Sequence, residues 1–141
     1  MKKTAKIWAL VLLVVTAMVS CTKNISASNG NQNANLIVGK WKCVSYSDDY
    51  EYFSWAKIGD IWEFSSDGTL DFVIYYEEFH KVEQISAHYI CSERWLSFFA
   101  SSSSIYNGTD SFEIIEISRN DLTLDCQSNW MPCHIVFEKV D

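Results

Sequence analysis

The chain has 141 residues, 48% of them hydrophobic and 15% aromatic, with 11 Lys and Arg against 18 Asp and Glu for a formal charge of −7. That length suits one domain with a sizeable core. The acidic balance argues against a nucleic-acid partner, whose phosphates it would repel.

Met1-Lys2-Lys3 and Lys6 open the chain with positive charge, and residues 7–19 follow without any. This run is too short for a membrane-spanning helix, which takes roughly 20 apolar residues, and has the length of a signal-peptide core. It ends in Met18-Val19-Ser20-Cys21. That ending resembles the lipobox of bacterial lipoproteins, with Met18 where Leu is usual. The resemblance implies cleavage before Cys21 and acylation of its thiol and new amine. The membrane is then a partner through the lipid on Cys21. Two or three acyl chains hold more firmly than one. The expected place is the cell envelope, at the outer membrane of a Gram-negative bacterium.

Removing residues 1–20 takes away three lysines and no acid, so the formal charge moves from −7 to −10. No polybasic patch is left for anionic lipid, and the acyl chains must do the membrane work. Residues 22–35 are polar, with Asn at positions 24, 29, 31, 33 and 35. They cannot bury enough apolar surface to offset the entropy of ordering, so a flexible tether is expected. Its root-mean-square reach is about 20 Å.

Residues 36–141 are expected to form one all-β domain. Short apolar runs broken by turn residues favour a barrel or sandwich, and there is no long run with helical periodicity. Gly39–Tyr46 alternates, with Trp41, Cys43 and Ser45 on one face. Residues 47–57 are polar yet aromatic, suited to a loop or short helix over a barrel mouth. Asp60–Phe64 and Thr69–Ile74 flank Ser65-Ser66-Asp67-Gly68, a hairpin signal because glycine takes the positive φ of the turn. Strands near Gln84–Cys91 and Arg94–Phe99 meet at Ser92-Glu93. A serine-rich loop from Ser101 closes near Asn107-Gly108. Phe112–Ile117 and Leu122–Cys126 bracket Ser118-Arg119-Asn120-Asp121, and Cys133–Val140 comes last. That makes an eight-stranded antiparallel meander.

Leu36-Ile37-Val38-Gly39-Lys40-Trp41 resembles the opening Gly-x-Trp strand of the lipocalin-like domains of bacterial lipoproteins. Trp62-Glu63-Phe64-Ser65-Ser66-Asp67-Gly68-Thr69 is similar to their second-strand hairpin. Residues 117–124 and 136–140 resemble their closing hairpin. The resemblance implies an up-and-down β-barrel of about eight strands with one open mouth; no cofactor is expected. It names no ligand.

In such a barrel Trp41 is expected to plug the closed end. Trp62, Phe64, Leu70, Phe72, Ile74, Ile90, Leu122, Leu124 and Phe137 are expected to join it inside. Eight strands leave an interior that side chains either fill or line around one small ligand. Both readings stay open. The aromatics Tyr50, Tyr52, Phe53 and Trp55 are read either as a buried lid or as the lining of the mouth.

With Cys21 lipidated, Cys43, Cys91, Cys126 and Cys133 remain, and an even count in an oxidising envelope suggests two disulfides. Cys126 and Cys133 flank the connection between the last two strands and are expected to pair, which leaves Cys43 with Cys91. Zinc at Cys133 and His134 is the competitor, but the spacings lack a Cys-x2-Cys pair, and no metal is expected. His80, His88 and His134 fall in no nucleophile or metal motif, Glu77-Glu78 with His80 reads as a solvated strand end, and no enzyme is expected. The two leading functions are a binding barrel for a small apolar or amphipathic ligand and a filled barrel that acts through its surface.

Overall fold

The computed structural model describes residues 31–48, 52–100, 108–126 and 132–140. Alternation makes the strands. In β1 (Gly39–Asp48), Trp41 and Cys43 are buried while Lys40 and Lys42 are exposed, the two-residue period of a pleated strand with one dry face. A bulge between Cys43 and Ser45 then reverses the phase. Ser45, which plain alternation would put on the face of Trp41 and Cys43, is therefore exposed, and Tyr46 takes the inward side.

The remaining strands are β2 (Phe53–Ser54), β3 (Ile61–Phe64), β4 (Thr69–Tyr76), β5 (Lys81–Cys91), β6 (Trp95–Ala100), β7 (Gly108–Ile117), β8 (Asp121–Cys126) and β9 (Cys133–Val140). Consecutive strands from β3 to β9 pair in antiparallel order, and β1 pairs with both β3 and β9. The result is a closed antiparallel barrel of eight strands. β2 is extra. It pairs Phe53 with Tyr76 and Ser54 with Tyr75, continuing the edge of β4 on which β3 takes Asp71 and Leu70.

The expected turns form. Gly68 has φ 89°, its N–H donates to Ser65 O at 3.1 Å, and the Thr69 N–H donates to the Asp67 carboxylate at 3.0 Å. At the β7–β8 turn, the Ser118 hydroxyl accepts from the N–H groups of Asn120 and Asp121 at 3.2 and 2.9 Å. These turns and the β5–β6 turn lie at the base of the barrel, where β1 begins.

The compact unit starts at Asn31, earlier than the boundary expected at residue 36. Residues expected to end the tether form one helical turn, α1 (Gln32–Leu36). Polar side chains account for it. The Asn31 amide donates to Cys91 O, and the Asn33 amide donates to Glu93 O at 2.8 Å. Ile37, fully buried just after α1, gives the segment its apolar anchor.

Candidate functional site

The base of the barrel is built around Trp41. Trp41 is fully buried, its Nε1 donates to Ile37 O at 2.6 Å, and the Lys139 ammonium sits 4.4 Å from the ring centre. Lys139 also donates to Leu36 O at 2.9 Å and to Val38 O. Burial holds its pKa below the usual lysine range. Gly39 is what allows this approach. Its φ is 126°, and a Cβ there would lie 2.7 Å from Lys139 Cε.

Above the base the interior is packed with rings. Trp62 stands 4.9 Å from Phe72, 5.1 Å from Phe137 and 5.9 Å from Phe112, centre to centre. Trp55 stands 5.4 Å from Phe112 and 5.6 Å from Phe98, both edge to face, the arrangement aromatic quadrupoles favour. Among the described residues, no polar or charged residue is buried. The inward set expected from alternation is found, with one correction. Ile90 points outward and is 75% exposed, because the buried phase of β5 runs through Ile85, Ala87 and Cys91.

The four aromatics read as lid or mouth are not one group. Trp55 is 1% exposed and Phe53 8%, so both are core, while Tyr52 is 52% exposed. Tyr50 lies outside the described residues, as does Cys21. The strap carrying Phe53 and Trp55 is fastened at several points. The Trp55 N–H donates to the Tyr46 hydroxyl at 3.1 Å, the Glu77 N–H donates to Tyr52 O at 2.9 Å, and Phe53 meets Tyr76 at 5.3 Å.

The upper end, opposite the base, is more polar. Tyr46, Tyr76, Glu83 and Asp110 occupy inward register positions there and are half-buried. Burial raises the Asp110 carboxyl above the usual carboxylate range. It also raises the Tyr76 phenol to about 12, with the nearby Glu83 charge adding to the effect.

The cysteine expectation needs correcting. Cys43, Cys91, Cys126 and Cys133 are all buried, and no disulfide joins any two of them. Cys43 and Cys91 are kept apart by topology, since β3 and β4 stand between their strands. The Cys43 thiol turns to Ser45 O and the Cys91 thiol to Ser92 O. Cys126 and Cys133 are directly opposed in register, as the hairpin implied, and their side chains are hydrogen-bonded rather than bridged. The histidines are not inside either. His88 is exposed on the outer face opposite Phe99, His134 pairs with Asp125 on the surface, and His80 caps the turn Glu77–Phe79 at φ 48°.

Sequence reasoning missed the outer face of β5–β6. Ile90 lies opposite Ser97, so Trp95 and Phe99 are its diagonal neighbours. Trp95 is 40% exposed and Phe99 47%. Ile115, two residues along β7 from Glu113, the partner of Trp95, is also exposed. Arg94 lies over Trp95 at 5.6 Å and is held by Glu113 through Nε and Nη2 at 2.9 and 2.8 Å. The signal was present in Trp95-Leu96-Ser97-Phe98-Phe99-Ala100, which is apolar in both phases although only one phase faces a core.

No family model matches the chain, and no curated protein does. Among solved structures it is similar to a lipocalin-like protein from Bacteroides uniformis, at 15% identity and a TM-score of 0.52, over 74% of this chain and 99% of that one. An uncharacterized protein from Bacteroides eggerthii aligns at 17% identity and a TM-score of 0.47, over 73% of this chain and 98% of that one. The first likeness bears on the fold, which is that of a lipocalin-like barrel.

Proposed function

We propose that this chain is a lipid-anchored envelope protein, acylated at Cys21, whose barrel is a filled scaffold that works through its outer surface. One observation carries the second half of this reading. The rings of Trp41, Trp55, Trp62, Phe72, Phe98 and Phe112 occupy the volume in which a small barrel would hold a ligand. Support for the anchor is the sequence Met18-Val19-Ser20-Cys21 after an uncharged run of signal-peptide length.

A second reading keeps a small apolar ligand. It is favoured by the way Trp55 enters the barrel, from a strap that, among the described residues, is paired only through the two-residue β2. A ligand of similar shape would displace that one ring. Two measurements test the pair. Cys21→Ser should release the protein from the membrane fraction and leave the signal segment uncleaved. Retention of this variant in the membrane defeats the anchor. Native mass spectrometry of protein taken from membranes should find no retained small molecule. A bound species that is lost on Trp55→Phe would favour the ligand.

A further inference from the structure

We propose that the outer face formed by Ile90, Trp95, Phe99 and Ile115 rests on the lipid bilayer surface, as a second contact beside the lipid anchor. The proposal rests on acylation at Cys21. It follows from where the described chain begins. Asn31 and Asn33 bind the backbone carbonyls of Cys91 and Glu93, so the first described residues are held at the β5–β6 turn. Ser92, in that turn, accepts the Trp95 N–H on its hydroxyl at 2.9 Å. Asn31 and the exposed Trp95 are therefore gathered around the same turn.

Length completes the constraint. From Cys21 to Asn31 is ten residues, at most about 35 Å when fully extended. A lipid on Cys21 keeps Asn31 within that distance of the bilayer, and Asn31 is bound at the base of the barrel, the end opposite Glu83 and Asp110. The face is chemically suited to the headgroup boundary. Tryptophan prefers that zone because its ring is apolar and its N–H can stay hydrated. The Arg94 guanidinium beside the ring can meet phosphate, and Ile90, Phe99 and Ile115 add apolar area around it. The contact need not be strong by itself. A short tether makes it intramolecular, with an effective concentration on the order of millimolar.

Exposed apolar groups on one face of a sheet also suit a protein partner. The position of Asn31 favours the membrane, because the face lies beside the turn that holds this residue, ten residues from Cys21. The net charge of the chain without its signal makes anionic lipid a poor choice, so a zwitterionic surface is the appropriate probe.

The test uses the lipidated protein reconstituted into phosphatidylcholine vesicles with brominated acyl chains, which quench tryptophan at the bilayer. Wild-type emission should be quenched, and most of that quenching should be lost in Trp95→Phe while both proteins still float with the vesicles. Ile90→Ser, with Trp95 intact, should reduce the quenching as well. Equal quenching of wild type and Trp95→Phe would overturn the proposal and leave the anchor standing. Recovery of Cys21→Ser with membranes would instead overturn the anchor. A dimer of unlipidated Cys21→Ser in sedimentation that Trp95→Phe abolishes, without bromolipid quenching of the lipidated protein, would assign the face to a second copy and overturn the membrane contact.

Discussion

Trp41 and Trp62 face each other across the β1–β3 ladder, yet only one indole N–H is satisfied. Trp41 Nε1 donates to Ile37 O at 2.6 Å, whereas Trp62 Nε1 is buried with no acceptor among the described residues. The two rings therefore differ in what a phenylalanine would cost. Trp41→Phe strands the buried Ile37 carbonyl and should cost about 1–3 kcal/mol more than Trp62→Phe. Urea unfolding of both variants measures the difference, and equal losses would show that the Ile37 bond adds nothing.

Trp55 should behave as core. Trp55→Ala should lose roughly 3–5 kcal/mol, as aromatic truncations in packed interiors do. Tyr52→Ala, on the exposed neighbour, should stay within about 0.5 kcal/mol of the parent. A small loss at Trp55 would mean that the strap is readily displaced, and would favour the ligand reading.

The strands and turns were legible because their signals are local. Asp67-Gly68 and Ser118-Arg119-Asn120-Asp121 each form a turn from their own side chains and backbone. The inward set was legible wherever one phase of a strand was apolar, as in Leu70, Phe72 and Ile74. It failed at Ile90, where Tyr89 and Cys91 make the other phase equally apolar, and at Ser45, where a bulge adds a residue that no local pattern marks. The strap was illegible for a different reason. Phe53 and Trp55 are held by Tyr46, Tyr76 and Phe112, contacts that alternation along one strand does not encode. Apolar residues on the outer face were visible in the run from Trp95 to Phe99 but not assignable to a side.

Gly39→Ala should destabilise the base twice over. The backbone at φ 126° disfavours any side chain, and the new Cβ would press on Lys139 Cε at 2.7 Å. The expected loss is about 1–3 kcal/mol. Lys139→Ala in the same chain should recover only part of it, because the backbone strain remains. Full recovery in thermal unfolding would assign the whole cost to the contact.

Stability should fall in alkali. Burial raises the Cys43 and Cys91 thiols to about 11 and the Tyr75 and Tyr76 phenols to about 12, with the bond to Asp60 also raising Tyr75. Each group is held protonated by the fold, so its contribution is complete below its ordinary value of 9.0 or 10.0 and is lost as pH rises through the raised one. Lys139 opposes them. Its lowered pKa means that stability is gained as pH rises towards 10.5. The more numerous thiols and phenols should prevail, and the unfolding midpoint should drop steadily above about pH 9. A midpoint that rises over that range would contradict the burial of these groups.

The ladder between β1 and β9 joins Lys40 to Val140 and Asp48 to Cys133, nearly the whole length of the domain apart in sequence. Every other pairing is between strands close in the chain, so hairpins can form as the polypeptide is delivered, but the ring cannot shut until the last strand arrives. Contacts of such separation slow folding. Until then β1 waits with one hydrogen-bonding edge bare, a template for unwanted strand addition. The exposed interval ends when Cys133–Val140 docks, so this last strand sets how long a newly made chain is at risk.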